Sequence, residues 1–160
     1  MAKKTENEPG SGIKIIATNR KARHEYEIME TFEAGLSLLG SEVKSMRAGK
    51  ANLKDAYAIP KGNEIFLVNM HISPYDKTGY SGHEPERPRK LLLHAREINK
   101  LTVMTETKGI TLIPLKIYFK GKYAKVELGV CRGKKSHDKR AAIIERDIQR
   151  DMEREIKRRR

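Results

Sequence analysis

The sequence is short of the residues from which most enzymatic sites and secreted folds are built. One cysteine, Cys131, stands among 160 residues, which excludes an internal disulfide. No stretch near Met1 joins a basic start to an apolar core and a cleavage site, so a cytoplasmic protein is expected. Pure apolar runs are short segments such as residues 91–93, far below the roughly 18 that a membrane-crossing helix requires, and no membrane partner is expected. Neither GxxxxGK(S/T) nor GxGxxG occurs, so a nucleotide-hydrolysing site would lack its phosphate cradle. His24, His71, His83, His94 and His137 are widely spaced, none in a close pair with Cys131 or another histidine. They read as surface or loop residues, and neither a metal nor another cofactor is expected.

Positive charge is what the chain has in excess. Its 34 Lys and Arg against 21 Asp and Glu give +13 and a pI near 9.9, a field that attracts phosphate in nucleic acid or on an anionic surface. Residues 132–160 hold 12 basic and 6 acidic side chains, almost half of the excess in the last fifth of the chain. The length suits one domain with one core.

Periodicity divides the chain. Residues 1–12 are polar, with Pro9, Gly10 and Gly12, and are expected to form a disordered lead. Tyr26, Ile28, Phe32, Ala34, Leu36 and Leu38 fall on even positions, the two-residue period of a half-buried strand, with Gly35 where so long a strand must bend. Ser41 is placed to cap a short helix in which Val43 and Met46 face inward and Gly49 ends it. Strands are expected over residues 56–59 and 64–70, joined by a turn over 60–63, then a long irregular segment over 71–90. Ile98, Leu101 and Met104 mark a helix that exits at Gly109, and a hairpin about residues 120–122 closes the body. In its second strand Val126, Leu128 and Val130 face one way and Cys131 the other. The expected fold is therefore mainly β: an OB-like closed antiparallel barrel over residues 13–131 with two or three short helices. Residues 132–160 form a basic tail. Within it Ile144, Ile148, Met152 and Ile156 fall at strict fours beside Arg146, Arg150, Arg154 and Arg158. So thin an apolar line is marginal cover for a free helix, which predicts a conditionally helical segment ordered by a partner.

Basic clusters over residues 19–24, at Lys44 and Arg47, and over 87–90 and 132–140 supply donors to phosphate, and Tyr26, Tyr75, Tyr80, Tyr118 and Tyr123 include candidates for stacking on bases. Together they favour RNA. Two other readings stay open: a hydrolase using Cys131 and His137, for which spacing supplies no third group, and a plain ribosomal OB-fold protein.

NRKARHEY at 19–26, TFEAGLSLLGSEVKSMRAGKANL at 31–53, HISPY at 71–75, RPRKLLLHAREI at 87–98 and GKKSHDKR at 133–140 stand in one order along the chain. In these blocks the sequence resembles the SsrA-binding protein family (small protein B), the bacterial partners of transfer-messenger RNA. The resemblance implies a non-enzymatic adaptor with an OB-like barrel, bound as a monomer to the tRNA-like domain of that RNA and standing in for an anticodon stem in the ribosome. It maps the RNA face onto Asn19, Arg20, Lys21, Arg23, His24, Glu33 and Leu92. It sends Lys134, Lys135, His137, Asp138, Lys139 and Arg140 to the decoding centre, against 16S ribosomal RNA. The helix beyond, with Arg146, Ile148, Arg150, Met152 and Arg154, then enters the empty messenger channel.

Overall fold

The computed structural model describes residues 12–75, 83–134 and 136–159, the side chains of 136–138 aside. The expected disordered lead lies outside these residues except for Gly12, as does Tyr80. In chain order the elements are β1 (Ile13–Thr18), α1 (Arg20–Glu25), β2 (Tyr26–Leu36), α2 (Gly40–Arg47), β3 (Ala51–Asn52), β4 (Tyr57–Lys61), β5 (Glu64–Val68), β6 (His71–Ile72), β7 (Arg89–Leu92), α3 (Ala95–Glu106), β8 (Ile110–Lys120), β9 (Tyr123–Gly133) and α4 (Ser136–Arg158). The fold is mainly β.

Pairing runs in a ring: β8, β4, β5, β7, β2 and β9 are joined in that order by antiparallel contacts, and β9 returns to β8 along most of its length. The other edge of β8 is shared, its Lys116 to Lys120 pairing with β1 and its Leu112 with β4. The alternation read from β9 holds, and that of β2 holds from Phe32 to Leu36, but a bulge between Ile28 and Glu30 turns Tyr26 and Ile28 to the other face, beside Ala22 and Cys131. Ala34, Leu36, Val126, Leu128 and Val130 point into one core with Ile65, Leu67, Leu91, Leu112 and Ile117. Each of the Val, Leu and Ile side chains among them contributes about 1.5–3 kcal/mol by leaving water. Leu101 of α3 and Met46 of α2, both fully buried, complete that core.

Gly35 marks the place where β2 passes from β9 to β7, pairing with Lys125 on one side and Leu92 on the other. A Cβ there would stand 3.1 Å from the Leu92 Cβ, so the missing side chain is what lets β7 approach. The hairpin turn between β4 and β5 is tighter than expected: Lys61 still pairs with Glu64, leaving Gly62 (φ +62°) and Asn63 as the turn.

The cap of α2 differs from expectation. Ser41 lies inside the helix, with Oγ 2.9 Å from His83 Nδ1, and the first turn is closed instead by Glu42 Oε1, which accepts from the Leu39 amide at 2.9 Å. The segment expected to be irregular, 71–90, contains β6 and the first two residues of β7, whose Arg89 is fully buried. The tail forms one helix of 23 residues. Its apolar line stays open to solvent: Ile144, Ile148, Met152 and Ile156 are 59%, 55%, 60% and 58% exposed. Along it Glu155 and Arg159 meet at 3.3 Å.

Candidate nucleic-acid interface

Asn19 starts the site. Its Oδ1 accepts from the Ala22 amide at 3.1 Å and caps α1, while its Nδ2 donates to the Pro114 carbonyl at 3.1 Å and its own amide donates to Leu115 O at 2.7 Å. The cap and the burial of Ala22 against Ile113, Leu115 and Cys131 hold a helix whose other residues are nearly all charged. Arg20, Lys21 and Arg23 are left exposed on it, with His24 half-buried, and Lys21 meets Glu25 at 3.7 Å.

Glu33 and Leu92 belong to a second group. From Tyr26, which follows α1, β2 runs to Glu33 over roughly 23 Å at about 3.3 Å per residue. There Glu33 and the 53%-exposed Leu92 line an open groove of about 600 Å³ with Glu64, Lys90, His94 and Lys125. Tyr118 explains how the Glu33 carboxylate is held there. Its hydroxyl donates to Glu33 Oε2, and Lys120 Nζ stands 3.9 Å from Oε1. Burial first, and then the Glu33 carboxylate, push the Tyr118 phenol well above its ordinary range, so it remains a donor. The sequence reading did not single out Tyr118 as a positioning residue or Lys125 as a groove residue. The outward phase of Lys125 in the β9 alternation was the available signal for the second.

Other candidates are redirected. Arg87 and Arg89, read as phosphate donors, grip Glu42: Arg87 Nη2 lies 2.5 Å from Oε1, Arg89 Nε donates to Oε2, and Arg89 Nη1 and Nη2 donate to Met70 O and Pro85 O at 2.6 and 2.9 Å. Burial raises the Glu42 carboxyl, but the Leu39 amide and then the two arginines outweigh it and hold the group below its ordinary value. Among the tyrosine candidates, Tyr118 is buried, Tyr26 packs beside α1, and Tyr75 lies under Lys44 Nζ at 5.5 Å, whereas Tyr123 is 62% exposed. His83, expected at the surface, is buried, bonding Ser41 Oγ and the Ile72 carbonyl at 2.9 Å each.

Cys131 is on the opposite face from Val130, as its phase required, but α1 covers that face and leaves it fully buried. Burial pushes its thiol up to about 11, so little thiolate exists near neutral pH. Iodoacetamide near neutral pH is expected to leave the native chain unmodified and to alkylate it fully in denaturant, as read by mass spectrometry. Rapid native alkylation would show instead that α1 opens. Among the described residues no group of three His, Cys, Asp or Glu is placed to hold a metal, and no helix is long and apolar enough to cross a membrane.

The tail leaves β9 beside α1. The Lys134 amide donates to Glu25 O at 2.9 Å and its Nζ to Arg23 O at 3.2 Å, and Arg146 Nη2 lies 2.9 Å from His24 Nδ1. Lys139 and Arg140 occupy the first turns of α4, with Ile148, Arg150, Met152 and Arg154 exposed further along. Lys135 and the side chains of His137 and Asp138 lie outside the described residues.

A family model described as SmpB protein matches residues 16–158. An SsrA-binding protein of Syntrophomonas wolfei is 59% identical over 150 residues, covering 94% of this chain and 96% of the relative. Another, of Chloroflexus aggregans, is 56% identical over 160 residues, covering 99% and 98%. A solved chain described under the words "tmRNA-SmpB: a journey to the center of the bacterial ribosome" matches with a TM-score of 0.65 at 51% identity, covering 76% of this chain and 85% of that one.

Proposed function

The chain belongs to the SmpB family of SsrA-binding proteins, and from that premise we propose that it is a cytoplasmic, non-enzymatic adaptor of trans-translation that binds transfer-messenger RNA and acts with it on the ribosome. The observation that carries this reading is the reach of the family match, which takes in α1, the Glu33–Leu92 groove and all of α4.

The ring of strands is read as an OB-like barrel whose outer face takes the tRNA-like domain. Arg20, Lys21 and Arg23 bond phosphates, and His24 and the free N–H of Asn19 donate to sugar or base edges. Some 23 Å along β2, Glu33 accepts from base or sugar donors, and Leu92 gives an apolar surface to an unstacked base. The tail, residues 132–160, extends from the bound monomer. Lys134, Lys135, His137, Asp138, Lys139 and Arg140 face the decoding centre, and Ile148, Arg150, Met152 and Arg154 follow the messenger channel. A polycation lies there only where messenger phosphates are absent, so vacancy is sensed by competition for one electrostatic site.

Titration of the full chain with a transfer-messenger RNA transcript at several salt concentrations tests the binding half. Arg20→Ala/Arg23→Ala is expected to weaken binding about tenfold or more at low salt and to flatten the slope of log K against log salt by about 0.7–0.9 per lost phosphate contact. An unchanged slope would remove α1 from the RNA face.

A further inference from the structure

On the outer face of the sheet two carboxylates stand directly opposite each other, Glu33 of β2 and Glu127 of β9. Like charges so paired repel, and each is held by a different group. Lys116 Nζ lies 3.6 Å from Glu127 Oε2, whereas the Tyr118 hydroxyl, reaching across β9 from β8, donates to Glu33 Oε2. The outcome is unequal: the Glu33 side chain is 43% exposed and that of Glu127 25%, so Glu33 is the one presented outward. Tyr118 itself is buried, with Lys116 Nζ 5.6 Å from its ring centroid, and offers no face for a base to stack on. With Oε2 taken by Tyr118, Glu33 offers Oε1, and Lys120 Nζ stands 3.9 Å from it, beyond hydrogen-bond reach. Among the described residues the Lys120 ammonium has no other partner. An acceptor and a donor thus stand side by side, each with bonding capacity left for a third molecule.

We infer that Tyr118 is a positioning residue for RNA binding: its hydroxyl fixes the Glu33 carboxylate so that Oε1 and Lys120 Nζ together receive the edge of an unstacked base. An N–H of the base donates to Oε1, and a neighbouring base acceptor takes a bond from the ammonium. The inference rests on the reading that the chain binds transfer-messenger RNA through Glu33, and it narrows that contact to a base edge. The Watson–Crick edge of every base sets a donor beside an acceptor, whereas a phosphate has acceptors only and is repelled by a carboxylate. Without the hydroxyl, repulsion from Glu127 and attraction to Lys120 alone set the Glu33 rotamer, and Oε1 closes on the ammonium that it would otherwise share with the base.

The test uses the full chain and a transfer-messenger RNA transcript, with affinity measured by fluorescence anisotropy over a range of KCl for Tyr118→Phe, Glu33→Ala and the double variant. Phenylalanine keeps the buried ring and removes only the hydroxyl, and Glu33 is exposed enough for alanine to leave the fold intact. Tyr118→Phe is expected to weaken binding about fivefold. The slope of log K against log salt should not change, since no phosphate contact is lost. In the Glu33→Ala background, itself weaker in binding, the same substitution is expected to cost less than about twofold, because the group through which Tyr118 acts is gone. An equal loss in both backgrounds would make Tyr118 a merely structural residue and overturns the inference. So does a Tyr118→Phe chain that binds like the unaltered one, or one whose slope flattens by about 0.7–0.9, the mark of a lost phosphate contact. All three leave the RNA-binding reading standing, whereas failure of the unaltered chain to bind overturns both.

Discussion

Replacing Ile148 with proline is expected to abolish tagging of stalled nascent chains in a reconstituted translation system while leaving affinity for transfer-messenger RNA within about twofold of the unaltered chain. Proline inside a helix removes the bond to the carbonyl four residues earlier and clashes with it, at a cost of about 3 kcal/mol. In α4 nothing absorbs that cost, because Ile144, Ile148, Met152 and Ile156 are all more than half exposed and pack on no core of their own chain. The helix is held by its backbone and by pairs such as Glu155–Arg159, each contributing about 0.2–0.5 kcal/mol. Ile148→Ala separates the two contributions of the residue: alanine keeps helix propensity and loses only apolar contact, so tagging should fall far less. Proline and unaltered chains of equal activity would mean that the tail works as an extended polycation.

Glu42→Gln is expected to destabilise the fold by about 3–5 kcal/mol, because it strands the fully buried Arg89 charge without its counterion. At about 2–4 °C per kcal/mol for a chain of this size, the melting temperature should fall by roughly 10 °C. Replacing Glu42 and Arg89 together by apolar residues of similar volume should cost much less, since most of the penalty belongs to an unpaired charge. The pH dependence has a definite sign. A carboxyl held below its ordinary value contributes stability above the unfolded pKa of about 4.3, and that stability is lost as pH falls through the depressed folded value. Denaturant melts from neutral pH down into the acid range should show this loss in the unaltered chain and a shallower one in Glu42→Gln. Equal melting temperatures for the two proteins would show that the cluster contributes little to stability.

These two sites differ in how far they can be read without coordinates. The tail helix shows in the fourfold spacing of Ile144, Ile148, Met152 and Ile156, and β9 and the second half of β2 show in their alternation, because half-buried strands and helix faces impose their periods on sequence. α1 has no such period: Ala22 is its one apolar residue, and it folds because Asn19 caps it and Ala22 closes over Ile113, Leu115 and Cys131. The run over residues 87–90 reads the same whether solvated or buried, and the partner that buries Arg89 is 47 residues away. One signal was present. Glu42, Ser45 and Met46 share a helix face, so a carboxylate sits in phase with a core methionine. The basic clusters were legible as charge, but the meeting of His24 with Arg146, across 122 residues, belongs to the folded chain alone.

The proposed function has the ring of strands recognise one RNA and the tail a vacant ribosomal channel, and the identity of the RNA is its first requirement. Sequencing the RNA that co-purifies with the full chain after ribosomes are removed by centrifugation measures it directly. The predicted result is transfer-messenger RNA as the dominant species, lost on washing at high salt and depleted in Arg20→Ala/Arg23→Ala. Ribosomal RNA fragments alone, unaffected by those substitutions, would contradict it.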